Sequence, residues 1–359
     1  MRILFHCTLP FLLGICAWHP NCAANEALAS WPGLLGPNRD GEVKGFTAPG
    51  NWPGKLDKIW QLKVGAGYGS PVFADNVVYL HTRLGGYEVV RCLELQSGRE
   101  KWQKSYAVPF RMGMGGERHG KGPKSCPVLS GGRLFTLSIT GILSAWDALT
   151  GEMLWRRDYS TEFKKNHPYW GVSSSPIVEG KKLIVHLGND GKGTLLALDV
   201  RTGKEIWRQG KDGASYSSPL IVEIMGTRQV IQWNHENLVG VSIDTGRLLW
   251  SHHAPHRTHN QNMPTPVFHE GRILLGGENR GIQCLEPRRT GDSWSVKKLW
   301  YQEKVALDMS TAVINGGLLF GMSHYKSGQL FCLEPKDGEI LWLSPGRVGN
   351  NVAFLSVPG

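Results

Sequence analysis

One eleven-residue pattern recurs along this chain and constrains everything it can become. Ala145-Trp146-Asp147-Ala148-Leu149-Thr150-Gly151-Glu152-Met153-Leu154-Trp155 returns as Ala197-Leu198-Asp199-Val200-Arg201-Thr202-Gly203-Lys204-Glu205-Ile206-Trp207. Looser copies run from Cys92 to Trp102, Gly240 to Trp250 and Cys332 to Trp342; a degenerate one opens at Cys284 and closes late, at Trp300. Ile59-Trp60 reads as the tail of a seventh. A fixed period of this kind marks a repeat architecture, in which no single unit can bury its apolar face alone.

Each copy follows a second signature, a Ser/Thr-Pro step leading into an apolar strand and then a Gly-Arg or Gly-Lys turn into another. Ser70-Pro71, Ser175-Pro176, Ser218-Pro219 and Thr265-Pro266 show it, with Cys126-Pro127 and Thr311-Ala312 as variants. Every unit therefore reads as four short strands. From Trp60 onward the terminal tryptophans are spaced by 42, 53, 52, 43, 50 and 42 residues, the length of a four-stranded propeller blade. The expected fold is all-β: a β-propeller of four-stranded antiparallel blades, six complete and a seventh incomplete.

The repeated positions have structural work to do. Asp147, Asp199 and Asp244 are expected to hold tight turns, and Gly151, Gly203, Gly246 and Gly338 to supply positive φ between the third and fourth strands. Trp102, Trp155, Trp207, Trp250, Trp300 and Trp342 are expected to wedge flat against the neighbouring sheet. The 46 glycines suit so many turns, and a charged fraction of 19%, below the typical ~25%, excludes a disordered chain or a coiled coil.

The N-terminus has the features of an export signal: Arg2, an apolar run from Ile3 to Trp18, then small residues, with cleavage after Ala24 or Ala29. Residues 1–29 are thus expected to be the signal peptide and residues 30–359 a single propeller domain, C-terminally truncated because only about one strand follows Trp342; an open or six-bladed ring is the alternative. The run is too short and too interrupted to span a membrane. The protein is expected to be periplasmic or extracellular. Four cysteines remain in that domain, without a C-x-x-C pair; Cys92, Cys284 and Cys332 share one strand context and read as small core residues. The formal charge of +10 is spread over turns and strand ends, and no nucleic-acid motif accompanies it.

The eleven-residue motif resembles the tryptophan-docking repeat of quinoprotein dehydrogenases and the wider quinoprotein-like propellers. The opening Trp31-Pro32-Gly33-Leu34-Leu35-Gly36-Pro37-Asn38-Arg39-Asp40-Gly41 is similar to the start of exported PQQ-binding-like β-propeller repeat proteins of planctomycete-type bacteria. The resemblance implies the fold. For the dehydrogenases it also implies PQQ, a calcium held by Glu, Asn and Asp, an aspartate base and a Cys-Cys disulfide; this sequence has no Cys-Cys and no C-x-x-C-H. No residue is assigned a catalytic role, and no metal ligand is assigned.

In a propeller the interblade connections and the turns between strands two and three meet at one face, around the central funnel. Those segments supply Arg118 and His119, His167, Tyr169 and Trp170, His235, Glu278 and Arg280, and His324. Cations, imidazoles, carboxylate and aromatic rings converging on a concave mouth form the expected ligand site. The His252 to His259 run contains Pro255, so no helix aligns its nitrogens for a metal. The function expected is an exported binding or scaffold propeller for a protein, small-molecule or saccharide partner. The alternatives are a PQQ-dependent oxidoreductase of alcohols or sugars, and a truncated, non-functional family member.

Overall fold

The computed structural model describes residues 30–46, 49–112, 120–163, 169–257, 262–323 and 328–357. Among the described residues twenty-four strands form six sheets, each four consecutive strands in antiparallel order, spanning residues 72–107, 128–158, 177–209, 220–253, 267–302 and 313–343. The sequence periodicity is thereby borne out as an all-β propeller-type fold. Within each sheet the second and third strands are buried on both faces, as Leu183-Ile184-Val185 and Leu195-Leu196-Ala197-Leu198 show. The core lies between sheets: Phe135, Leu137 and Leu143 of the second pack on Leu183, Val185 and Leu196 of the third. Each such side chain contributes about 1.5–3 kcal/mol on burial.

A β-bulge sits at the same place in all six sheets. The third strand pairs Cys92, Ala145, Ala197, Gly240, Cys284 and Cys332 with the terminal tryptophan, and the register then slips by one residue. The slip twists the outer strand and aims the indole at the next sheet. There it meets the motif glycine. A Cβ on Gly98, Gly151, Gly203, Gly246 or Gly338 would lie 2.6–2.7 Å from the ring of Trp60, Trp102, Trp155, Trp207 or Trp300 respectively. The indole N–H then donates to a main-chain carbonyl of that next sheet's turn, at 2.8 Å for Trp60 to Leu95 and 3.0 Å for Trp102 to Ala148.

The turn itself is held as expected at two positions. Asp147 accepts from the Leu149 and Thr150 N–H groups and the Thr150 hydroxyl, and Asp199 repeats the set with Arg201 and Thr202. Asp244 is a correction. Ser242 occupies the equivalent position and accepts from the Thr245 N–H, while Asp244, two residues on, faces outward to Lys182 at 3.3 Å. Trp250 departs as well: the fifth sheet's hairpin is lengthened by its nine- and ten-residue strands, and the Trp250 indole turns back to Gln229 Oε1 over Gly240. Trp342 is 47% exposed.

The Ser/Thr-Pro step links the inner strands. Ser218 Oγ accepts from the Ser175 N–H, Ser175 Oγ from the Cys126 N–H, and Thr311 Oγ1 from the Thr265 N–H. Cys126 stands in the same series, its Sγ accepting from the Ser70 N–H at 3.1 Å. The four cysteines of the described residues are buried and free.

The segment from Ser30 to Val43 crosses the inner strands. Trp31 bridges Phe73 of the first sheet, the Pro32 carbonyl accepts from Leu129 of the second, and Gly41 packs on Val313 of the sixth. Arg39, 4% exposed, donates to the Ser175, Pro176 and Pro219 carbonyls at 3.0, 2.5 and 2.6 Å. Burial lowers its pKa to about 10, so the guanidinium stays charged at neutral pH.

Candidate functional site

Antiparallel order puts each sheet's second-to-third turn at the end where the chain leaves for the next sheet, and this is the funnel face. The fourth sheet's turn carries Asn234, His235 and Glu236, and the connection that follows carries His256 and Arg257. Backbone contacts fix the two against each other. His256 N–H donates to the His235 carbonyl, His235 N–H to Gly213, and Ala254 N–H to Glu236. The buried Asn262 amide donates to the Asn234 and His235 carbonyls. Asp212 accepts from the Glu236 N–H and from both Asn237 nitrogens.

The two imidazoles stack, with centroids 3.5 Å apart and planes 20° from parallel. Glu236 Oε1 lies 3.3 Å from His235 Nδ1 and 3.1 Å from His256 Nδ1. Burial, then the neighbouring His256, lower the His235 pKa. These three residues could offer a metal one atom each within 4.8 Å. Two Nδ1–H groups donating to the one Glu236 oxygen fit the arrangement, each imidazole then being the Nδ1–H tautomer.

Arg280 enters from the fifth sheet's turn. Its Nη1 donates to the Pro255 carbonyl at 2.6 Å and its guanidinium lies 5.1 Å from the Trp233 ring centroid. Burial, then Arg257, lower its pKa to about 10. The structure thus brings His235 and Arg280 to one place, joined through the 253–257 connection. Glu278 is buried beside Arg280, its charge opposing that shift. Tyr169 and Trp170 form a T-shaped pair nearby in the chain of loops, and the Trp170 N–H donates to Tyr216 Oη. Asp190 connects the two regions, acting on both Tyr216 and His235. Arg118, His119, His167 and His324 lie outside the described residues.

Sequence reasoning placed Glu236 and His256 in funnel-face loops without singling them out, and left Asp212 and Lys298 off that face. They come from different turns and a strand, with no spacing to unite them. Arg39 sat inside a recognised motif, but only the fold shows its target to be carbonyls.

PQQ is a planar tricyclic tricarboxylate. The funnel-face cavity between the fourth and fifth sheets is about 240 Å³, under the ~300 Å³ at which cofactor-sized sites begin. Two larger cavities lie at the strand one-to-two end: one of about 580 Å³ sets Asp40, Glu42 and Glu223 in its wall against Arg39 and Arg228, both already paired, and one of about 340 Å³ sets Asp75 and Asp147 against Lys101, so neither offers such a ligand net positive charge. These cavities do not fit the quinone.

A family model described as "Outer membrane protein assembly factor BamB" matches residues 86–344. The chain belongs to that family. It is a PQQ-like β-propeller repeat protein. BamB from Shewanella oneidensis is 22% identical over 227 residues, covering 60% of this chain and 55% of that protein. Quinohemoprotein alcohol dehydrogenase ADH-IIG from Pseudomonas putida is 28% identical over 169 residues, 43% of this chain and 21% of the enzyme. The chain thus spans about half of the first relative and a fifth of the second. Among solved structures, BamB from Moraxella catarrhalis superposes with a TM-score of 0.54 at 15% identity, covering 80% of this chain and 75% of that one. A likeness at that identity speaks for the fold.

Proposed function

We propose that this is an exported, non-catalytic propeller that holds a partner on its funnel face, in the periplasm or outside the cell. One observation carries the reading. At the face where loops from the fourth and fifth sheets meet, both imidazoles are engaged with a carboxylate and one guanidinium nitrogen with main chain: His235 and His256 with Glu236, Arg280 Nη1 with the Pro255 carbonyl. That is a rigid recognition surface, since general-base chemistry needs an imidazole within reach of a substrate proton. Membership of a family described by an assembly factor supports a protein as the partner.

Site-specific photo-crosslinking tests it. A crosslinker at position 257, on the funnel face, is expected to capture a discrete protein in the exporting cell; one at position 315, on the opposite end, is not. Robust dye reduction with alcohols or aldoses after reconstitution with PQQ and calcium would defeat the reading.

A further inference from the structure

The cavity between the fourth and fifth sheets has a one-sided chemistry. Arg257, Arg280 and Lys298 stand in its wall with His253, no carboxylate of the described residues does, and the rings of Trp233 and Tyr301 complete it with Gln283. Arg280 is the most deeply set of the three cations. Its Nε and Nη2 are buried and make no hydrogen bond among the described residues, and its guanidinium rests on Gly277, where any Cβ would collide with it. Glu278 and Asp308, whose charges act on Arg280, are buried outside the cavity wall. The positive potential inside the cavity is therefore only partly offset.

The remaining wall groups narrow the ligand further. Gln283 Oε1 lies 3.2 Å from His252 Nε2. Burial lowers the His252 pKa, so at neutral pH the imidazole is uncharged, and Nε2–H is the tautomer that can donate to that oxygen. With its oxygen engaged, Gln283 has an amide NH₂ left to give a ligand. Tyr301, 54% exposed, presents a ring face of the kind that packs on sugar C–H groups. The volume of about 240 Å³ holds a single substituted ring rather than a polycycle.

We propose that this cavity binds a sugar acid, one hydroxylated ring carrying a carboxylate. The carboxylate pairs with Arg280 and Lys298, the ring packs on Tyr301, and a hydroxyl accepts from Gln283. Recognition of a free sugar acid here stands whether or not a protein docks on the same face.

Calorimetric titration of the purified full chain with glucuronate tests it, with glucose, benzoate and inorganic phosphate as comparison ligands. Glucuronate is expected to bind at one site, at least tenfold tighter than any of the three, since each comparison ligand lacks the charge, the hydroxyls or the ring. Arg280→Gln and Lys298→Gln are each expected to weaken it about tenfold or more, and Arg288→Gln, remote from the cavity, to leave it unchanged. Lys298 is exposed, so Lys298→Gln gives a reading even if Arg280→Gln impairs folding. Glucose binding as tightly as glucuronate, phosphate binding as tightly, no saturable heat with glucuronate, or unchanged affinity in Lys298→Gln would overturn the proposal.

Discussion

A docking glycine carries two constraints, a left-handed backbone and an indole lying where its Cβ would be, and mutation can separate them. Gly203 has φ of 63° with the Trp155 ring 2.6 Å from an added Cβ, whereas Gly180 has φ of 56° with open space around it. Gly180→Ala is expected to cost about 1 kcal/mol for backbone strain. Gly203→Ala should cost about 1–3 kcal/mol more, from overpacking. Urea midpoints at constant slope would measure both; equal costs would mean the indole is not held against the glycine. The tryptophans themselves should divide in the same way. Trp207 is 8% exposed and hydrogen-bonded to the next sheet, while Trp342 is 47% exposed. Trp207→Ala is expected to cost about 3–5 kcal/mol, and Trp342→Ala well under half of that.

At the level of strands and turns, the second strand of the third sheet, Lys182–Gly188, joins the core to the funnel face through His186. His186 is 1% exposed, and burial lowers its pKa from 6.5 to about 4, opposed by a hydrogen bond to the Asp212 main chain. The carboxylate of that same Asp212 holds the turn bearing Glu236. Above pH 6.5 the imidazole is neutral in both folded and unfolded chains, and its contribution to stability is intact. As pH falls from 6.5 towards 4 the unfolded chain takes up a proton that the folded chain refuses, so stability is lost across that window and levels off below it. The loss is roughly 2–3 kcal/mol by pH 4.5. Chemical denaturation at pH 7.5 and 4.5 should show it, and His186→Gln, which keeps a donor for Asp212, should remove that part of the difference. The strands themselves were legible in the sequence because the Trp, Gly and Ser/Thr-Pro positions recur. The candidate site was legible only as a set of loops. His235 and Arg280 could be named because their turns follow from the repeat. That His235 meets His256 rather than another loop imidazole depends on Asp212, Asn262 and a connection of irregular length, none of which a period encodes. Asp244 was misplaced for a related reason, since in Gly240 to Trp250 the acid sits two positions late.

Across the whole molecule, indole docking couples each sheet only to its neighbour, so the sheets are held together mostly by nearest-neighbour terms. The segment around Arg39 is different in kind. It touches the first, second, third, fourth and sixth sheets from the inside, and its buried guanidinium satisfies three carbonyls at the starts of the third and fourth. Arg39→Met keeps much of the side-chain volume but strands those carbonyls in a water-poor site. The expected cost is about 3 kcal/mol or more. Losing a contact that spans sheets should also loosen their cooperation, so the denaturation slope should fall and proteases should cut the 30–43 segment sooner. Arg228→Met is the control, because Arg228 pairs with Glu179 at the surface, and such pairs contribute under about 1 kcal/mol. If the two substitutions cost the same and the slope is unchanged in both, the sheets are held by their indoles alone and the crossing segment is a passenger.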